Sequence, residues 1–166
     1  MTASLSMRAS LTPKAANILL GTGLLVATVD AIFASTFWRL VAGVPASRIV
    51  QGIAAGLLGK AAFQGGAGTM GLGAVLHYGM AIAMVFAYYF ASRWLPALVR
   101  RPWMYGPLYG LVVYAVMNGI VVPLSAAPPS PHLLGWVISS IFVHMFVVGL
   151  PSALAARAAL GGAPEV

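Results

Sequence analysis

Four long apolar runs constrain the fold of this chain more than any other feature. They cover residues 18–38, 70–91, 103–123 and 133–156. A helix needs about 20 apolar residues to cross the hydrocarbon core of a bilayer, because it rises about 1.5 Å per residue. The four runs fill most of the 166 residues and leave no room for a separate soluble domain. The sequence therefore predicts a single all-α membrane domain with four transmembrane helices.

Composition supports this class and excludes several others. The chain is 61% hydrophobic and only 7% charged, whereas about a quarter of the residues in a soluble domain are charged. It has no cysteine, which excludes disulfides, thiol catalysis and thiolate metal sites. The first run is too long for a cleavable signal peptide, contains Asp30 and is followed by no clear cleavage site. We expect it to be retained as a helix.

The basic residues predict the orientation in the membrane. Six of the nine lie before the first run, between the second and third, or at the end of the fourth: Arg8, Lys14, Arg93, Arg100, Arg101 and Arg157. The other three lie between the first and second runs: Arg39, Arg48 and Lys60. The positive-inside rule then predicts that both termini are cytoplasmic. The net charge of +7 indicates attraction to anionic lipids at that face, and no soluble face presents it to nucleic acid.

The connector between the first and second runs contains its own helical pattern, over residues 45–59. Pro45 can open a helix and Gly59 can close it. Apolar residues recur between them at helical spacing: Ile49, Val50, Ile53, Leu57 and Leu58. This segment is too short to span a bilayer, so we expect a short amphipathic helix at the outer interface.

Each predicted span carries one strongly polar side chain, and the four fall at similar depth: Asp30, His77, Asn118 and His144. A carboxylate in a bilayer is costly and usually has a partner inside the bundle. Ser140 shares a helix face with His144, and Tyr114 shares one with Asn118. We therefore predict one polar intramembrane cluster, supported by Ser140 and Tyr114.

The role of this cluster has three interpretations. In the first, Asp30 and the histidines line a route for protons or a small solute, since histidine changes charge near neutral pH. In the second, the cluster only holds the bundle together: Asp30 accepts hydrogen bonds from a histidine, and Asn118 links helices. In the third, His77 and His144 are the axial ligands of a b-type haem.

Chemistry beyond these interpretations has little support in the sequence. No nucleophile and base with an orienting third group is recognisable, so we predict that the chain is not an enzyme. A metal site built from Asp30, His77 and His144 would have suitable ligand types but no ligand-spacing signature. We therefore predict no metal, and no cofactor unless the haem interpretation holds.

Three stretches resemble the YagU-like family of bacterial inner-membrane proteins. They are LHYGMAIAMVFAYYFASRWLP (76–96), MYGPLYGLVVYAVMNGIVVPLSAAPP (104–129) and SIFVHMFVVGLPSALAAR (140–157). The similarity is greatest at His77, at the PLSAAPP exit of the third run and at the histidine of SIFVHM. This resemblance covers the last three predicted helices. It implies a polytopic protein of the bacterial inner membrane and supplies no catalytic residues.

We therefore expect a small multi-pass inner-membrane protein that allows protons or a small solute to permeate through the polar cluster. The alternative is a structural or assembly subunit of a larger membrane complex, and the second alternative is a haem-bearing redox subunit. The expected partners are the lipid bilayer and either further copies of the chain or the other subunits of such a complex. Four short helices enclose little volume, so a pore would form in an oligomer or at an interface.

Overall fold

Helices make up nearly all of the part of the chain that the structure describes. The computed structural model describes residues 11–161, apart from Ser130 and His132. The helices are α1 (Pro13–Ala42), α2 (Ala46–Leu58), α3 (Gly66–Trp94), α4 (Ala97–Arg100), α5 (Pro102–Leu124) and α6 (Leu134–Ala159), and a 3₁₀ helix (Gly59–Gln64) joins α2 to α3. α1, α3, α5 and α6 are long and apolar enough to cross a membrane. The predicted fold class is confirmed: an all-α multi-pass membrane protein with four candidate spans and a short extra helix.

Helix α1 is longer than its apolar run because both of its ends are capped. The Thr12 hydroxyl accepts a hydrogen bond from the Ala15 amide at 3.2 Å, and Pro13 occupies the first helical position. These are the residue types that favour a helix start. Gly43 adopts a left-handed conformation with φ 67° and ends the helix. The capping signals therefore lie outside the run of apolar residues.

Helix α2 lies against α3 and near the loop that follows α5. The backbone of α3 at Gly73 comes so close to the Val50 carbonyl that a Cβ atom at this position would have no room. The Ala126 amide donates to the Gly56 carbonyl of α2 at 2.9 Å. Gly59 ends α2 with φ 59°. Helix α2, which lies between α1 and α3, is therefore also joined to the loop that follows α5.

Glycines allow the close crossing of α5 and α6. A Cβ atom at Gly106 would meet the Leu150 Cα at 2.8 Å, and one at Gly110 would collide with the His144 carbonyl. Gly149 of α6 approaches the backbone of both glycines. The Gly106–Gly110 pair, a motif that can mark dimer interfaces, is therefore used within the chain.

Both α5 and α6 contain a π-helical turn shortly before a proline. These turns cover Met117–Val121 and His144–Gly149, and they precede Pro123 and Pro151 by two residues. A proline ring clashes with the carbonyl four residues earlier and has no N–H to donate to it, so the backbone must adjust there. In α6 this adjustment takes the form of the π turn that ends at Gly149, and α5 continues through Pro123 to Leu124.

The two ends of the bundle differ in packing. One end, which we call the packed end, holds the main cluster of buried residues: Leu19, Val85, Tyr88, Tyr89, Val99, Ala153, Ala155 and Ala156. There the Tyr88 hydroxyl donates to the Leu98 carbonyl at 3.0 Å. The opposite end, formed by α2, Asp30–Trp38 of α1 and the start of α6, contains cavities. We call it the hollow end.

Candidate functional site

A cavity of about 200 Å³ lies between the four long helices. All six predicted site residues line it: Asp30 from α1, His77 from α3, Tyr114 and Asn118 from α5, and Ser140 and His144 from α6. Most of the remaining lining is apolar: Val26, Met80, Ala81, Met84, Met117, Val122, Trp136 and Val148. Side chains far apart in the sequence therefore converge on one small space, which we call the inner compartment.

A second space of about 280 Å³ adjoins the inner compartment. The two share Asp30, His77, Ser140, His144 and Trp136, so we treat them as two parts of one cavity. The second part, the outer compartment, extends to Ile49, Val50 and Ile53 of α2 and is also lined by Trp38 and Tyr78. Helix α2 thus forms one wall of the cavity.

Asp30 and His77 face each other without a direct hydrogen bond. Nε2 of His77 lies 2.9 Å from the Ala27 carbonyl of α1 and 3.9 Å from Oδ2 of Asp30. A carbonyl can only accept, so this nitrogen carries the proton. The distance of 3.9 Å is too long for a hydrogen bond. Within the described residues, no group donates to the Asp30 carboxylate, whose side chain is 25% exposed. His77 therefore binds the backbone of α1 rather than the acid.

His144 presents one ring nitrogen to the cavity. Its Nδ1 lies 2.8 Å from the Ser140 carbonyl, one turn earlier in α6. Since that carbonyl accepts, Nδ1 is the donor, and Nε2 of a neutral ring keeps its lone pair. The ring meets Tyr114 edge-on, with centroids 5.4 Å apart. His144 can therefore accept a proton or a hydrogen bond at Nε2.

Asn118 does not make the predicted link between helices. Its Nδ2 donates to the Tyr114 carbonyl of its own helix at 3.0 Å, and the residue is exposed. An asparagine on a helix readily satisfies itself on the carbonyl one turn earlier. Because Asn118 lines the inner compartment and is also exposed, it stands at the rim of the cavity.

Ser140 has a buried hydroxyl without a hydrogen-bond partner. The residue is 3% exposed, and its Oγ has no partner within the described part of the chain. Leaving a buried polar group unpaired costs about 1–3 kcal/mol, so such groups are rare and need an explanation. Ser140 lines both compartments. Its oxygen has almost no accessible surface, so a molecule in the cavity would reach it after a rotation of the serine side chain.

An aromatic wall that the sequence did not predict is formed by Phe33, Phe37, Trp38 and Trp136. Trp136 stacks on Phe33 with ring centroids 5.6 Å apart and an interplanar angle of 9°. It also packs against Phe37 at 5.1 Å and Trp38 at 5.4 Å. The spacing of four residues between Phe33 and Phe37 was the available signal, since it places both rings on one helix face.

The histidine geometry bears on the haem interpretation. An axial ligand needs a ring nitrogen with a free lone pair. Nε2 of His77 donates to Ala27, so ligation by Nε2 of both histidines would require that hydrogen bond to break. In the described ranges, no three His, Asp or Glu side chains are close enough to hold a metal ion. The haem hypothesis stays a prediction. The hydrogen bond from His77 to Ala27 does not favour it.

Comparisons with protein-family models, curated proteins and solved structures found no match for this chain. The resemblance to the YagU-like family therefore stays a prediction.

Proposed function

We propose that this protein lies in the bacterial inner membrane and allows protons or a small solute to permeate through its central cavity. The single observation that carries the proposal is that polar side chains from all four candidate spans line one small space. Polar groups at membrane depth are costly and concentrate along substrate and ion pathways. The bacterial inner membrane as the location comes from the YagU-like resemblance.

The proposed orientation places the packed end at the cytoplasm. Lys14 and Arg157 are on helix segments that meet at the packed end, and the short connector between α3 and α5 adds Arg100 and Arg101. The connectors of the hollow end carry fewer basic residues. Arg8, which also enters this argument, lies outside the described residues. An excess of basic residues at one end supports cytoplasmic termini under the positive-inside rule.

The cavity has the groups that a proton relay needs. Asp30 and Nε2 of His144 are acceptors, His77 is a donor, and Ser140 has a hydroxyl that can do either. The 3.9 Å between His77 and Asp30 means that transfer between them would pass through a bridging water.

Proton flux in liposomes tests this proposal. The purified chain is reconstituted, a pH gradient is imposed, and the rate of its decay is compared with that of empty vesicles. We expect Asp30→Asn to lower the protein-dependent rate by about tenfold or more, because the amide cannot accept the proton. Asp30→Glu keeps the acid and should retain much of the flux. Unchanged flux in a well-folded Asp30→Asn variant would remove the proposal.

A structural or assembly role is the second candidate, and one contact favours it. The hydrogen bond from His77 to the Ala27 carbonyl ties α3 to α1, as expected of a histidine that stabilises a bundle. On this proposal the partner is a further copy of the chain or a larger membrane complex. Asp30→Asn would then lower the yield of that assembly or its melting temperature. Vesicles with the parent protein and vesicles with the variant would both show the proton flux of empty vesicles.

A further inference from the structure

We propose that the cavity binds a small organic ammonium cation, with Asp30 as its counter-charge and the tryptophans of the aromatic wall as its apolar contact. This inference names a substrate class for the site of the proposed function and rests on that function for passage across the membrane. Binding itself does not require passage. Three independent features of the cavity carry it: its charge, its walls and its unpaired hydroxyl.

The charge of the cavity favours a cation. Asp30 is the one acid in the described part of the chain, and with neutral imidazoles it gives the cavity a net negative charge. Nearby cations of the chain are held elsewhere. Arg39 donates to the Gly43 carbonyl at 3.1 Å, and Arg48 lies 4.3 Å from the centre of the Phe63 ring. A cationic ligand would therefore supply the positive charge that balances Asp30.

The walls favour an organic cation over a bare metal ion. Hard metal ions need several oxygen ligands, and Asp30 is the single carboxylate of the cavity. Aromatic faces attract ammonium groups, with tryptophan the strongest, and aromatic side chains recognise quaternary ammonium in this way. Trp38, Trp136 and Tyr78 line the outer compartment beside Asp30. A carboxylate next to tryptophans matches an ammonium group with carbon substituents.

The unpaired hydroxyl indicates a ligand with a polar group near the ammonium. Ser140 lines both compartments, and its Oγ has no partner within the described residues. Asp30 also lines both. The Ser140 oxygen is buried, so its side chain would rotate to meet a ligand. A ligand whose ammonium group lies beside Asp30 and whose hydroxyl or amine bonds the rotated Ser140 would satisfy both groups. The two compartments, of about 200 and 280 Å³, restrict it to a small molecule.

Equilibrium binding of radiolabelled choline to the detergent-purified full-length chain tests the inference. Choline carries a quaternary ammonium and a hydroxyl. Dimethylbutanol, in which a carbon replaces the nitrogen, has the same shape without charge and serves as the competitor control. We expect saturable choline binding that unlabelled choline displaces and dimethylbutanol does not. Absence of saturable binding, or equal displacement by the two compounds, would overturn the inference.

Matched variants locate the site. Asp30→Asn should weaken choline binding by about tenfold or more, and Asp30→Glu should retain it. Trp38→Leu should weaken binding severalfold, whereas Trp94→Leu, at a residue 79% exposed and outside the cavity, should leave it unchanged. If Asp30→Asn fails to fold, the comparison of Trp38→Leu with Trp94→Leu still tests whether choline binds in the cavity. Equal binding in both tryptophan variants and the parent protein would overturn the proposed location.

The binding and flux measurements fail independently. Choline binding without proton flux or choline uptake in liposomes would support this inference and contradict the proposed permeation. Proton flux that depends on Asp30, without choline binding, would overturn this inference and leave the proposed function standing. Choline uptake that Asp30→Asn abolishes would support both.

Discussion

The packed end and the hollow end of this bundle are built from the same four long helices, yet they differ in packing and in polar content. At the packed end, small residues such as Ala153 and Ala156 let α1, α3 and α6 surround Tyr88, which is almost fully buried. At the hollow end, the helices leave two adjoining spaces and an acid without a hydrogen bond in the described structure. Stability is thus concentrated at one end and polar chemistry at the other.

This division shows how a small membrane protein can contain costly polar groups. Lipid supplies no hydrophobic force between helices, so their association depends on close packing and hydrogen bonds. The packed end provides both, through the close approach of Gly106 to Leu150 and Ala153 of α6 and through the Tyr88 hydroxyl, which donates to the Leu98 carbonyl at 3.0 Å. The hollow end can then hold Asp30 without having to stabilise the fold.

The largest effect on stability is expected from filling the glycine crossing. Gly106→Val would place a Cβ atom 2.8 Å from the Leu150 Cα and 3.2 Å from the Ala153 Cβ. Backbone atoms cannot move away cheaply, so we expect a loss of about 3 kcal/mol or more. Gly21→Val is the control, because nothing lies within 4 Å of its Cβ position, and it should change stability by less than about 0.5 kcal/mol.

Unfolding by SDS or by heat in detergent would measure both glycine variants. If Gly106→Val were as stable as the parent protein, the crossing would not be the main support of the packed end.

A smaller effect is expected from one tyrosine hydroxyl at the packed end. Tyr88→Phe removes the hydrogen bond to the Leu98 carbonyl and should cost about 1 kcal/mol. Tyr78→Phe at the hollow end should cost less than about 0.5 kcal/mol, because its exposed partner Thr28 keeps a bond of 2.8 Å to the Leu24 carbonyl. Melting temperatures of the two variants in detergent test this, and equal losses would contradict the division between the ends.

The smallest effect concerns two buried serines of α6. The Ser152 hydroxyl at the packed end donates to the Val148 carbonyl at 2.7 Å, whereas the Ser140 hydroxyl has no partner in the described residues. Ser152→Ala should cost about 0.6 kcal/mol. Ser140→Ala should cost nothing or stabilise the protein slightly, because it removes an unsatisfied buried group. Thermal unfolding without added ligand measures both, and a clear loss in Ser140→Ala would show that its hydroxyl is already bonded.

The architecture could be predicted from the sequence because it depends on patterns that a single sequence shows directly. The apolar runs required four spans, and Pro45 and Gly59 marked the bounds of α2. Estimated depth along each run also selected Asp30 and His77 for the same region, and the structure places them 3.9 Å apart at their nearest polar atoms. Depth depends only on position in the run, which the sequence contains.

Features that depend on rotation about a helix axis were beyond the sequence. Asn118 has suitable depth, but its side chain satisfies itself on Tyr114 instead of reaching another helix. The Ser140 hydroxyl is unpaired because no neighbouring polar group in the described structure lies within hydrogen-bond distance. A sequence pattern does not contain that information. The wall around Trp136 combines residues about a hundred positions apart, so the contact between α1 and α6 is visible in the packed structure and not in the sequence.

The π turn of α6 has a consequence for how one helix can serve both ends of the bundle. Ser140 and His144, four residues apart, line the cavity, while Gly149, five residues further on, packs against α5. In an ordinary α-helix five residues correspond to about 500° of rotation, which would leave Gly149 about 140° away from His144. A π turn closes with i→i+5 hydrogen bonds and brings such positions onto nearly the same side. The π turn thus accommodates one extra residue while the residues on either side of it keep facing the same way. Deleting one residue within His144–Gly149 would leave four residues, or about 400° of an ordinary α-helix, between the cavity lining and the contact with α5. We therefore expect such a deletion to turn this stretch into ordinary α-helix and to keep both faces in place.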